Sequence, residues 1–115
     1  MSVVRELLQD VQIPRFCKVY NRMDDTHVED PAQAVRDALR REGTLDRLKP
    51  GSTVCFPGSS REIANIAVIL RTLAEEVKRA GCTPYIVPGM GSHGGATAQG
   101  QRAVLEHYGV TEEFC

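Results

Sequence analysis

The strongest candidate for a catalytic residue in this sequence is a histidine, His93, that lies inside a glycine-rich segment. The segment from Gly89 to Ala96 reads GMGSHGGA and places four glycines around His93. Histidine titrates near neutral pH, so it can accept or donate a proton in a reaction. A loop histidine can equally be a surface group or a plain hydrogen-bond partner, and its surroundings decide between these roles.

The glycines around His93 allow three interpretations. Gly89, Gly91 and Gly94 have the GxGxxG spacing of a dinucleotide-binding loop, but no strand pattern precedes Glu112, which has the distance of the usual acidic ribose partner. More broadly, the glycines would let backbone N–H groups approach a phosphate or carboxylate in front of a helix. Third, the turn could need glycine only for positive φ angles. If the loop binds an anionic cofactor, we predict that Gly89, Gly91, Gly94 and Gly95 form the cofactor-binding site.

Hydroxyl and guanidinium groups offer a second kind of chemistry, the binding of a substrate. Arg61 could hold a carboxylate through two parallel hydrogen bonds, and Ser60 is its neighbour in the sequence SSR. A solvated arginine in the first turn of a helix is the alternative interpretation. We predict that Arg61, Ser60 and Ser92 bind the substrate, with His93 as the catalytic acid or base.

Two short strands and the helix between them are predicted to position these residues. TVCFPG (53–58) and TPYIVP (83–88) read as strands, and an apolar stripe that begins at Ile63 predicts a long helix. Ser59 and Glu62 form the pattern of a capping box at the start of that helix. The elements therefore alternate as strand, helix and strand.

This alternation predicts parallel strands with a right-handed crossover. The loops that follow both strands then lie at the same edge of the sheet, which is where α/β proteins bind ligands. Arg61 and His93 are therefore predicted to be neighbours. The fold class that we predict is α/β, a Rossmann-like βαβ arrangement with a small, mostly parallel sheet and flanking helices.

Capping signals define the ends of the remaining helices. Asp30 is predicted to begin a helix that Gly43 ends, and Thr97 to begin another that Gly109 ends. Gly81 is predicted to end the long central helix.

Two predictions concern the cysteines and the N-terminal region. RFCKVYNR (15–22) is a candidate strand. Cys17 and Cys55 fall in predicted strands and are predicted to be buried thiols.

Composition narrows the class of protein. The chain has 115 residues and a net charge of -1, which predicts one domain and gives no electrostatic case for nucleic acid or an anionic membrane. No apolar run approaches the ~18 residues of a membrane span, and the N-terminus lacks the apolar region of a signal peptide. We expect a cytoplasmic protein.

Three segments resemble a known family. SREIANI (60–66), PGMGSHGGAT (88–97) and VEDPAQAVRDAL (28–39) are similar to the N-terminal domain of the lactate racemase family, and in particular to an uncharacterised branch with the GSHGGAT motif. The resemblance covers nearly the whole chain. It implies a nickel-pincer nucleotide as the cofactor.

The resemblance implies a racemase or epimerase of small 2-hydroxy acids. A hydride would leave the carbon that bears the hydroxyl group and return to either face. His93 matches the first of two acid/base histidines of the family, and Arg61 matches an active-site arginine. Gly58 stands where lactate racemase has an aspartate, so lactate is not carried over as the substrate, and Gly94 replaces the arginine that follows the histidine.

Members of this family are several times longer, and their cofactor-bearing lysine, nickel-ligating histidine and second catalytic histidine lie downstream. We expect residues 1–115 to form a single α/β domain, the truncated N-terminal part of a two-domain enzyme. Alone it should be inactive, bind no cofactor and no metal, and self-associate through exposed apolar surface. Its partners would be a hydroxy acid and the C-terminal part of the parent chain. The alternative is a non-catalytic anion- or nucleotide-binding module.

Overall fold

The computed structural model describes residues 3–12, 14–59 and 63–115 of the chain. Within them, four α-helices and two strands are formed, and strand and helix alternate from residue 53 onwards. The helices are α1 (Val3–Leu7), α2 (Pro31–Arg41), α3 (Ile66–Arg79) and α4 (Ala98–His107), the strands are β1 (Thr53–Gly58) and β2 (Thr83–Pro88), and two short 3-10 helices span Leu45–Arg47 and His93–Ala96.

The two strands pair in parallel, as the strand–helix–strand pattern predicts. Their register runs from Thr53 opposite Thr83 to Gly58 opposite Pro88. The N–H of Gly89 donates to the carbonyl of Gly58 at 2.7 Å, so the pairing continues past the end of β2. Both strands therefore end at the same edge of the sheet, which confirms a mixed α/β arrangement with a small parallel sheet and flanking helices.

Helices α3 and α4 cover one face of the sheet and form the core with it. Side chains alternate in β1, so Phe56 packs against this core while Cys55 is exposed on the other face. The prediction that Cys55 is buried is therefore wrong. The buried cluster consists of Ile66, Leu70, Met90, Leu105 and Val110.

Local capping signals are confirmed at most helix ends. A side-chain oxygen of Asp30 accepts the N–H of Gln33 at 2.9 Å, and the Thr97 hydroxyl accepts the N–H of Gly100 at 3.1 Å. These bonds satisfy donors that the first turn of a helix leaves without a partner. The residues that follow α2, α3 and α4 with positive φ are Gly43, Gly81 and Gly109, as predicted.

The start of α3 differs from the prediction. Asn65 is the N-cap and has a left-handed backbone, with φ of 60° and ψ of 24°. A left-handed residue cannot continue a right-handed helix towards its N-terminus, so Ile63 precedes the helix and is 46% exposed. The apolar stripe becomes buried only from Ile66 onwards. Glu62 of the predicted capping box lies outside the described residues.

The candidate strand at 15–22 is not formed. We call residues 3–12 and 14–29 the N-terminal arm; all of them are exposed, and beyond α1 the described part of the arm contains no helix or strand. A strand needs a neighbouring strand for its backbone hydrogen bonds, and residues 15–22 have none. Cys17 is consequently exposed, contrary to the prediction.

Candidate functional site

The loop that carries His93 lies at the carboxyl edge of the sheet and is anchored in the core. It follows β2 directly, and Met90 points its side chain inward, where it is only 7% exposed. Met90 packs with residues from both α3 and α4. The backbone three residues before His93 is therefore held by apolar packing.

The imidazole of His93 contacts this anchored backbone. Its Nδ1 atom lies 2.7 Å from the carbonyl oxygen of Met90. A carbonyl only accepts hydrogen bonds, so this contact favours the tautomer in which Nδ1 carries the proton. In that tautomer the lone pair of the ring is on Nε2. The backbone thus selects the nitrogen that would exchange a proton with a ligand.

Gly94 is needed for close packing between the loop and the next helix. A Cβ atom on Gly94 would overlap the backbone of Gly100, and a Cβ on Gly100 would overlap the carbonyl oxygen of Gly94. Only two glycines allow the backbones to approach this closely. The Thr97 hydroxyl also holds the loop against α4, because it donates to the Gly94 carbonyl at 3.1 Å.

A glutamine that the sequence interpretation did not single out also holds the loop. The amide nitrogen Nε2 of Gln101 donates to the carbonyl of Gly91 at 2.5 Å. Gln101 is in the first turns of α4. From the sequence, one could predict only that it is a polar residue in a helix. Its partner is a loop carbonyl, which no spacing rule indicates.

Left-handed backbone is concentrated at this edge of the sheet. Gly94, Gly95 and Ala96 have consecutive positive φ values of 61°, 67° and 56°. Ala96 carries a side chain, so its conformation costs about 1–2 kcal/mol. Within the described residues, Asn65 is the other non-glycine with positive φ, and it lies in the loop that follows β1. Strain of this kind is often found at ligand sites.

The remaining predicted site residues divide into two groups. Gly91, Ser92 and Gly95 are exposed on the loop, and a Cβ on either of these glycines would meet no atom within 4 Å. Gly89 instead lies against Pro57, whose Cβ would be 3.0 Å from a Cβ on Gly89.

Ser60 and Arg61 lie outside the described residues. Their predicted proximity to His93 therefore stays a prediction. Because both strands end at the same edge, the loop after β1, which begins at Ser59, starts at the edge that carries His93.

The chemistry that this arrangement would suit is contact with an anion and exchange of a proton. The backbone at Gly91 and Gly95 borders open space that a phosphate or carboxylate could enter, and Nε2 of His93 belongs to the same loop. Among residues 3–12, 14–59 and 63–115, no three His, Cys, Asp or Glu side chains are grouped to hold a metal ion. Nor does any helix in these ranges combine the length and apolar character that crossing a membrane requires.

Comparison with known proteins identified no relative of this chain. The chain matches no family model, no curated protein and no solved structure.

Proposed function

We propose that this chain is the N-terminal part of a nickel-pincer-dependent racemase or epimerase of 2-hydroxy acids, in which His93 is an acid/base. The observation that carries the proposal is the contact between Nδ1 of His93 and the Met90 carbonyl. It orients the ring at the carboxyl edge of a parallel sheet and leaves the lone pair on Nε2. In this proposal the fold is Rossmann-like, and residues 1–115 are one domain of a longer cytoplasmic enzyme.

The residues of this chain have separate roles in the proposal. His93 takes the hydroxyl proton of one enantiomer at Nε2 and returns it in the reverse direction. Ser60, Arg61 and Ser92 bind the substrate carboxylate and hydroxyl groups. The loop backbone provides N–H donors at an edge where anions are commonly bound.

The four glycines of the loop differ in how closely a cofactor could approach their backbone. Gly91 and Gly95 border open space, so these are the two whose backbone a cofactor phosphate could approach. Gly94 faces Gly100 and Gly89 faces Pro57, and packing is sufficient to account for these two. The chemistry that a nickel-pincer nucleotide supplies when bound is reversible hydride acceptance from the hydroxyl-bearing carbon.

The test uses the full natural protein, co-expressed with the enzymes that mature the cofactor. Intact mass and nickel content are measured together, and 2-hydroxy acids deuterated at C2 are followed by chiral chromatography in ordinary water. We expect a covalent adduct, stoichiometric nickel, and racemised product that retains its deuterium. Retention distinguishes hydride return from proton abstraction, which would exchange the label with solvent.

Two histidine variants assign the acid/base role. His93→Gln should lower kcat by roughly 10²–10⁴-fold. His107→Gln is the matched control: His107 is an exposed residue near the end of α4, packed edge-on against Tyr108, and its replacement should leave kcat unchanged. Equal effects of the two substitutions would contradict the role of His93.

The open backbone at Gly91 and Gly95 also favours a second function, anion or nucleotide binding without catalysis. Calorimetry of the chain with inorganic phosphate, nucleotides and 2-hydroxy acids tests it. Binding in the absence of nickel, adduct and racemisation, with maturation verified on a control racemase, would replace the enzyme proposal. No heat with any of these ligands would exclude the binding module.

A further inference from the structure

Gln101 connects helix α4 to the loop that carries His93. Its Nε2 atom donates to the Gly91 carbonyl at 2.5 Å, two residues before His93. Gly91 has a φ of 61°, a conformation that the hydrogen bond helps to maintain. The bond therefore acts at the turn between the buried Met90 and the exposed histidine.

The carbonyls of Met90 and Gly91 belong to the two peptide groups on either side of the Gly91 Cα atom. One accepts from Nδ1 of His93, and the other accepts from Gln101. Restraining the second peptide restrains the rotations about Gly91, and these set where His93 lies relative to the Met90 carbonyl. Contact between Gly94 and Gly100 holds the other side of the histidine.

We propose that Gln101 is a positioning residue for His93. By holding the Gly91 carbonyl, Gln101 keeps the imidazole against the Met90 carbonyl, which keeps the proton on Nδ1 and the lone pair on Nε2. A neutral histidine side chain in water prefers the opposite tautomer, with the proton on Nε2. The catalytic use of this arrangement rests on the proposed function, whereas the tautomer itself does not.

The test is the tautomer of His93, read from the ¹⁵N shifts of its ring nitrogens and their couplings to the ring protons. The full chain is compared with Gln101→Met, which keeps a side chain of similar length and removes the donor. Gln99→Met is the matched control, because Gln99 is an exposed glutamine on the same helix. Circular dichroism verifies that all three proteins are folded.

We expect the Nδ1–H tautomer to dominate in the wild type and in Gln99→Met. In Gln101→Met the population should shift towards Nε2–H. In the full natural enzyme, the same substitution should lower kcat roughly tenfold with little change in KM, since the effect is on the orientation of the base.

An unchanged tautomer in folded Gln101→Met, or a wild type with mainly Nε2–H, would overturn the positioning role. A tautomer that shifts in a natural protein without racemase activity would support the positioning role and refute the proposed function instead. The two proposals can therefore fail separately.

Discussion

At the scale of single residues, the glycines around His93 have different reasons to be glycine. Gly94 has a left-handed backbone and its Cβ position is filled by Gly100. Gly95 has nearly the same φ but borders open space. Both positions favour glycine because their φ is positive. Only at Gly94 is there also no room for a side chain. Loop composition alone does not separate these two cases.

Alanine substitutions at these two positions should therefore differ in cost. Gly95→Ala should lower the free energy of unfolding by about 1 kcal/mol, the cost of a left-handed residue with a side chain. Gly94→Ala adds a steric clash and should cost about 3 kcal/mol or more. Urea unfolding of both variants measures the difference. Equal losses would mean that the loop and α4 do not touch in solution.

At the scale of elements, charged side chains join α2 to α3. The guanidinium of Arg36 lies 3.2 Å from Glu76 and 3.6 Å from Glu75. The Glu76 side chain is only 14% exposed and also pairs with Arg79. Partial burial and the shared carboxylate make this network worth more than an isolated surface pair. Local sequence defines α2 itself, whereas this long-range pairing is one of the contacts that hold it against α3.

Removing the central arginine should loosen α2. We expect Arg36→Met to lower the free energy of unfolding by about 1 kcal/mol, with a smaller loss at high salt. Arg40→Met is the control, because Arg40 pairs within α2 with Asp37 and both side chains are more than half exposed. Its effect should be near zero. Thermal unfolding of both variants at two salt concentrations measures these effects. Equal losses of stability in Arg36→Met and Arg40→Met would contradict a special role for Arg36.

At the scale of the whole molecule, the N-terminal arm extends away from the rest of the described structure, residues 30–59 and 63–115, which we call the body. The radius of gyration is 21.5 Å, whereas a compact domain of this length would have about 13 Å. Large apolar side chains of the arm are exposed, and such surface promotes association. They are Val3, Val4, Leu7, Leu8, Val11, Phe16, Val19, Tyr20, Met23 and Val28.

Removal of residues 1–29 should make the molecule compact and less prone to associate. Small-angle scattering should give a radius of gyration of about 12 Å for the 86 residues of the shortened chain, and its melting temperature should stay close to that of the full chain. Light scattering at increasing concentration should show association of the full chain only. A full chain that is already compact, or a shortened chain that unfolds, would mean that the arm packs on the body.

The sequence by itself determined the features that depend on neighbouring residues. Asp30 and Thr97 begin helices because a side chain reaches a backbone N–H three residues ahead. Gly43 and Gly81 end helices because they adopt positive φ without steric cost. The parallel pairing of β1 and β2 followed from the helix between them, since a short turn cannot join parallel strands.

Only the tertiary structure decided the features that need a distant partner. Residues 15–22 have the composition of a strand but no strand beside them, and Cys55 is exposed because the helices pack on the other face of β1. The start of α3 depends on the left-handed turn at Asn65. At the candidate site, the glycine–histidine loop was evident from the residues alone. The contacts that orient His93 were not, because they join side chains to backbone carbonyls whose positions exist only in the folded chain.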